Sequence, residues 1–145
     1  YGRPVSVALA DLDHFKRIND EHGHAAGDIA LRAFADLVRG TLRHADTAGR
    51  YGGEEFAFVF PETTPEEAAV LSNRLRVRLD ALVIALPDGK SLRMTLSIGL
   101  ADASVLSLEE ALSLADRALY DAKNSGRNAV VLAPAPGISI TASGS

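Results

Sequence analysis

Two acidic residues follow two glycines in Arg50-Tyr51-Gly52-Gly53-Glu54-Glu55-Phe56, directly ahead of the apolar stretch Phe56-Ala57-Phe58-Val59-Phe60. A glycine pair turns a hairpin readily, because glycine takes positive φ without steric cost. Adjacent carboxylates at such a tip repel one another unless a cation lies between them. A hard divalent cation holding a phosphate is the chemistry that uses them. The glycines would also let a bulky ligand lie flat against the backbone. The plainer alternative is a solvated hairpin tip that is merely acidic. A second acidic site weighs against that alternative. Val5-Ser6-Val7-Ala8-Leu9-Ala10 reads as a short strand running straight into Asp11-Leu12-Asp13. Alternation along a strand sends Asp11 and Asp13 to the same side. If this strand lies beside the hairpin, Asp11 and Glu54 or Glu55 converge on one ion, with the carbonyl of Leu12 as a further ligand. Mg²⁺ takes one or two carboxylates and keeps its other positions for water and phosphate oxygens. Asp13 is assigned instead to capping the helix that follows.

The elements that must carry these groups belong to a chain of 145 residues, enough for one domain with a real core. Hydrophobic residues make up 47% and charged residues 23%, as in an ordinary soluble globular chain. A formal net charge of −4 argues against a duplex nucleic-acid binder, which would present a basic face. The lack of cysteine excludes a disulfide framework, a thiolate metal site and a thiol nucleophile, and is compatible with a cytoplasmic home. No stretch approaches the roughly 20 apolar residues of a membrane span, and no signal peptide opens the chain. No Gly-x-x-x-x-Gly-Lys-Ser/Thr run occurs, so this is not a P-loop protein.

After the first strand, a short helix is expected from His14 to Asp20, with Glu21-His22-Gly23-His24 as its exit turn. Asp28 to about Leu42 has helical spacing of Ile29, Leu31, Phe34, Leu37 and Val38. Thr64-Pro65-Glu66-Glu67 and Ser107-Leu108-Glu109-Glu110 are capping boxes, and each opens a helix. Leu71, Leu75, Leu79 and Leu82 give the first of these its buried stripe. Pro87-Asp88-Gly89 is a turn. The alternation of Leu92, Met94, Leu96, Ile98 and Leu100 predicts one half-buried strand. The second capped helix runs to about Asn124, Ser125-Gly126 stops it, and Asn128 to Leu132 is the last strand. The pattern is an α+β sheet with helices packed on it. The small, Pro/Gly/Ser-rich end, residues 134–145, is expected to be a flexible tail.

Asp11-Leu12-Asp13-His14-Phe15-Lys16-Arg17-Ile18-Asn19-Asp20, then Gly23-His24 and Gly27-Asp28, then Gly52-Gly53-Glu54-Glu55-Phe56 resemble the ordered signature of the GGDEF domains, the bacterial diguanylate cyclases. The resemblance covers about Val5 to Leu132. It implies the nucleotidyl-cyclase fold, a ferredoxin-like βαββαβ core with additions and a central, mainly antiparallel sheet. It also implies condensation of two GTP into cyclic di-GMP with release of pyrophosphate, using Mg²⁺ or Mn²⁺. Because the product is a two-fold ring, catalysis is expected from a homodimer holding one GTP per subunit.

The resemblance gives roles to single residues. Asp11, Leu12 and Glu54 are implied metal ligands. Glu54 and Glu55 are the catalytic acids, Glu55 either binding a second metal or assisting proton removal. Asp28 and Asn19 would select guanine: a carboxylate accepts from its adjacent N1–H and N2 donors, a pair that adenine lacks, and a site built for hydrogen bonds rejects bases that leave its groups unpaired. Read without the resemblance, Asp28 would be a helix N-cap and Asn19 a helix-end residue. Phe15 and Lys16 would begin a loop whose backbone N–H groups meet the triphosphate. Lys123 and Arg127 would hold the terminal phosphates; otherwise they are favourable charges at a helix C-terminus. Arg43-His44-Ala45-Asp46 has the spacing of the family's product-inhibition site, which Arg74 completes from a neighbouring helix. An Arg fork suits guanine O6 and N7. The alternative is an exposed i,i+3 ion pair, worth under about 1 kcal/mol.

The family's usual Asp-x-Leu-Thr-Gly-Leu-x-Asn-Arg segment and preceding helix do not occur before Val5. Residues 1–133 are therefore expected to be the catalytic domain without that segment. An upstream sensory or dimerisation domain, through which the parent protein would be anchored to a membrane or not, is expected elsewhere. The rival reading is a non-catalytic module that senses GTP or cyclic di-GMP, but relatives of that kind usually lose acids in the signature.

Overall fold

The structure is a computed structural model that describes residues 3–135; of the expected tail, only Pro134 and Ala135 fall within it, and residues 136–145 lie outside the described residues. β1 (Val5–Leu12) is followed by α1 (Phe15–His22), α2 (His24–Thr41), β2 (Thr47–Gly52), β3 (Glu55–Pro61) and α3 (Pro65–Ala81). Then come β4 (Ile84–Ala85), β5 (Ser91–Leu92), β6 (Leu96–Asp102), α4 (Leu108–Asn124) and β7 (Ala129–Leu132). The five-stranded sheet has the order β2-β3-β1-β6-β7. β1 is antiparallel to both β3 and β6, and β7 runs parallel to β6. This is the expected α+β class with a mainly antiparallel sheet.

Period-two alternation makes β1 a divider between two apolar layers. Ala8, Ala10 and Leu12 face a large core with Phe34 of α2, Phe58 and Phe60 of β3, and Leu71, Leu75 and Leu79 of α3. Val7 and Leu9 face the opposite layer, under Ala111, Ala115 and Leu119 of α4. Both capping boxes form: Thr64 and Ser107 accept from the backbone N–H of Glu67 and Glu110, whose side chains reach back to the caps.

Several expectations change. The alternating Leu92–Leu100 run is two strands, β5 and β6, broken at Arg93-Met94-Thr95. Nor is β6 half-buried, since Ser97 and Ala101 on its other face are also covered. That face carries small residues because α4 lies close on it. Helix α1 runs to His22, and α2 starts at His24, a full turn ahead of Asp28; Gly23, at φ 91°, is the one-residue break between them. Asp28 is thus inside a helix and caps nothing. Helix α3 ends at Ala81, which leaves Leu82 as a half-buried C-cap outside the stripe.

Candidate active site

Strand pairing brings the two acidic segments together. Asp11, at the end of β1, is the register partner of Glu55 at the start of β3. Beside them the N–H of Leu12 donates to the carbonyl of Glu54 at 3.3 Å. Asp11 is 6% exposed and accepts from Lys123 Nζ of α4 at 2.5 Å. Burial raises the Asp11 carboxyl above the usual carboxylate range; Glu54 and Glu55 push the same way, and Lys123 opposes them. So three acids, from β1, the hairpin tip and β3, share one field, with Lys123 opposing them at Asp11. Among the described residues, no three His, Cys, Asp or Glu side chains converge as a metal cluster. A set of one or two carboxylates nevertheless fits Mg²⁺, which fills its remaining positions with water and phosphate oxygens.

Next to these acids is a cleft of about 430 Å³. The expected Phe15, Lys16, Asn19, Asp28 and Glu54 all line it. Helical spacing explains the grouping: Phe15, Lys16 and Asn19 share one face of α1, which packs against α2. Phe15 also belongs to the core, as its 7% exposure indicates. His24, Leu31 and Arg50 join the lining, and the sequence reading had assigned them no role. For His24 the signal was the start of α2, which lies a turn earlier than the spacing predicts; Arg50 comes from β2. Arg50 also closes the Gly-Gly turn, its Nε donating to the Gly53 carbonyl at 2.7 Å. A larger hollow of about 520 Å³ opens against α1 beside His14, Arg17 and Arg93, but none of the expected site residues lines it.

Asn19 Oδ1 is buried without a hydrogen-bond partner, a costly state unless something fills it. The side chain lies over Gly27, where an added Cβ would sit 1.9 Å from Oδ1 and 3.2 Å from Phe15 Cζ. Gly27 is needed for space, not for its φ. Gly27→Ala gains about 1 kcal/mol of helix propensity yet must push Asn19 aside. The expected result is a folded domain whose nucleotide affinity is about tenfold weaker, measured by calorimetric titration with GTP.

Lys123 and Arg127 do not line this cleft. Lys123 reaches Asp11, whereas Arg127 is exposed beyond the end of α4, with its N–H donating to the Ala122 carbonyl at 3.0 Å.

Asp13 is not a helix cap. His14 takes the N-cap position at φ 57° without a side-chain cap bond. Asp13 is buried and accepts from Thr95 Oγ1 at 2.7 Å, Ser97 Oγ at 2.7 Å and the Asn128 N–H at 3.0 Å. Three donors distant in the chain, on β6 and on the segments leading into β6 and β7, outcompete a local cap.

Arg43 and Asp46 form a closed pair. Asp46 Oδ2 accepts from the Arg43 backbone N–H at 2.8 Å and from Nε at 3.1 Å, and Oδ1 accepts from Nη2 at 2.8 Å. Arg43 Nη2 also donates to Thr63 Oγ1 at 2.5 Å. The Asp46 side chain is 0% exposed and that of Arg43 50%, so this is not the fully exposed pair the spacing alone allowed. The bond to Asp46 raises the Arg43 guanidinium above its ordinary value. Arg74 stands exposed on α3.

Residues 1–129 match the family model described as "Diguanylate cyclase, GGDEF domain". The chain is 43% identical over 131 residues to diguanylate cyclase A of Treponema denticola, covering 88% of this chain and 35% of that protein. It is 43% identical over 133 residues to the response regulator PleD of Caulobacter vibrioides, covering 90% of this chain and 29% of that protein. The chain thus spans about a third of the length of these curated relatives. Among solved structures, the GGDEF domain of DgcB from Caulobacter crescentus, in complex with c-di-GMP, superposes with a TM-score of 0.86 at 33% identity, covering 90% of this chain and 78% of that one. The active GGEEF domain of a diguanylate cyclase from Vibrio cholerae gives 0.83 at 30% identity, covering 91% and 84%.

Proposed function

The chain belongs to the GGDEF family of diguanylate cyclase domains, and from that membership we propose that it condenses two GTP into cyclic di-GMP, releasing pyrophosphate. The observation that carries this reading is the pairing of Asp11 with Glu55 at the head of the sheet, beside a cleft lined by Asn19 and Asp28. A relative at 43% identity named diguanylate cyclase A supports it. The Vibrio cholerae domain, described as active, bears the same Gly-Gly-Glu-Glu-Phe letters as residues 52–56 here.

Asp28 accepts from guanine N1–H and N2, and Asn19 offers the unpaired Oδ1 to the same base. The backbone N–H groups at Phe15 and Lys16 face the triphosphate, and Lys123 and Arg127 hold its terminal phosphates. Asp11, Glu54 and the Leu12 carbonyl would hold Mg²⁺ or Mn²⁺. Once bound, such an ion neutralises charge on the phosphoryl oxygens and makes the attacking hydroxyl more acidic. The ribose 3′-oxygen of one GTP bonds to the α-phosphorus of the other as the bond to the β-phosphate oxygen breaks. The hydroxyl proton leaves toward Glu55 or solvent, and pyrophosphate departs. Repeating this across a two-fold axis closes the ring, so two domains must face one another. Among the described residues, no helix is long and apolar enough to cross a membrane.

Product inhibition is assigned to Arg43, Asp46 and Arg74. Half of the Arg43 side chain is exposed even while it grips Asp46; Nε and Nη2 are engaged by Asp46 and Thr63, so Nη1 is the donor offered to guanine O6 or N7. Arg43→Ala should raise the cyclic di-GMP concentration for half-inhibition by about 10–100-fold, from the roughly 1.5–3 kcal/mol of a hydrogen bond made by a charged group, without changing the uninhibited rate.

The deciding experiment incubates the purified chain with GTP and Mg²⁺, alone and fused to a dimerising coiled coil, and measures cyclic di-GMP and pyrophosphate by chromatography. If both forms bind GTP and neither makes product, the non-catalytic sensing module is the better reading.

A further inference from the structure

The turn that leaves α4 is strained. Gly126, Arg127 and Asn128 have φ of 117°, 65° and 48°, so two consecutive non-glycine residues sit in the left-handed region. Such a turn persists only where its surroundings hold it, and Asn128 is where this one is held. Asn128 Oδ1 accepts from Arg76 Nη1 at 2.9 Å, and Nδ2 donates to Asp80 Oδ2 at 3.2 Å, both from α3. The Asn128 N–H donates to Asp13 Oδ2 at 3.0 Å.

Asp13 is 4% exposed and also gathers Thr95 and Ser97 from the start of β6. It lies two residues beyond Asp11, and Asn128 directly follows Arg127. A single carboxyl group therefore ties the end of the strand that bears the acids to the turn that bears a cation. We propose that Asp13 is a positioning residue, which sets Arg127 and the Lys123 end of α4 relative to Asp11 and so shapes the phosphate half of the site. This rests on the reading of that site as one for GTP.

Both carboxyl oxygens accept: Oδ1 from Ser97, and Oδ2 from Thr95 and the Asn128 N–H. Alanine at residue 13 would orphan one buried and two half-buried donors. Asparagine would keep most of the arrangement: its carbonyl oxygen can take the Thr95 and Asn128 donors, and its amide can donate to Ser97, whose hydroxyl rotates to accept. The base-binding residues Asn19 and Asp28 sit on α1 and α2, outside this network, so the defect should be confined to phosphate recognition.

The test is calorimetric titration of the 145-residue chain with GTP and, separately, with GMP, both with Mg²⁺. In Asp13→Ala the ratio of GTP to GMP affinity should fall about tenfold with GMP affinity nearly unchanged, and Asp13→Asn should restore it. Loss of affinity for both nucleotides in proportion would mark a merely structural residue and overturn the proposal, as would an unaltered ratio. Should Asp13→Ala fail to fold, Asp13→Ser decides, because its hydroxyl keeps a polar group at the site but is too short to join Thr95, Ser97 and the Asn128 N–H at once. A ratio lowered severalfold supports the brace, and an unchanged ratio overturns it. A wild-type chain that binds neither nucleotide would instead sink the GTP reading itself.

Discussion

Glu54→Gln should lower cyclic di-GMP synthesis by about 10²–10³-fold, because a neutral amide is a poorer ligand for the divalent cation that offsets the developing phosphoryl charge. The same change should leave the thermal midpoint unchanged or slightly raised. Glu54 sits at a hairpin tip, and its charge presses on the buried Asp11 carboxyl. Neutralising it relieves that repulsion without emptying any core volume. A residue kept for folding would behave the other way, losing stability and activity together. Product formation by chromatography and unfolding by circular dichroism on the same preparation check both halves. A variant with more than a third of the wild-type rate would remove Glu54 from the chemistry.

Gly99→Ala should be the most damaging small change to the fold. Gly99 lies in β6, paired with Leu9 on one side and Val131 on the other. A Cβ built there would meet the Ala115 carbonyl oxygen at 2.1 Å and the Leu119 nitrogen at 2.3 Å. These are backbone atoms of α4 and cannot rotate away. The helix comes this near because Ala111, Ala115, Ala118 and Ala122 form its buried face. One methyl group must lift it off the sheet. Overpacking costs about 1–3 kcal/mol, and the lack of any flexible neighbour places this case at about 3 kcal/mol, or a fall in midpoint of about 10 °C. A drop below about 2 °C by scanning calorimetry would contradict the packing described.

What the sequence made legible was local. Thr64 and Glu67 are three residues apart, as are Ser107 and Glu110, so both capping boxes could be read directly. The acids of Asp11 and Glu54 could be joined only by supposing that β1 lies beside β3, and the strand register bears that out. Asp13 was misjudged because its partners Ser97 and Asn128 are 84 and 115 residues away in the chain. A cap one residue on was the nearest use for a carboxylate, and tertiary donors won. The start of α2 was missed because His24-Ala25-Ala26-Gly27 carries no capping side chain and Gly23 alone makes the break. With that start misplaced, the part His24 plays in the cleft was hidden. The second face of β6 was misread because Ser97, Gly99 and Ala101 look like a weakly apolar, solvated side. They are small because a helix backbone presses on them.

That contact bears on how such a domain can be governed. Where α4 crosses Gly99 there is no cushion of side chains to shear, so the helix can neither ratchet along the sheet nor roll upon it. Lys123, at its far end, keeps station over Asp11 like a bolt through two plates. A body this stiff passes on a push instead of soaking it up, so an incoming signal would act by steering the whole block toward or away from its twin.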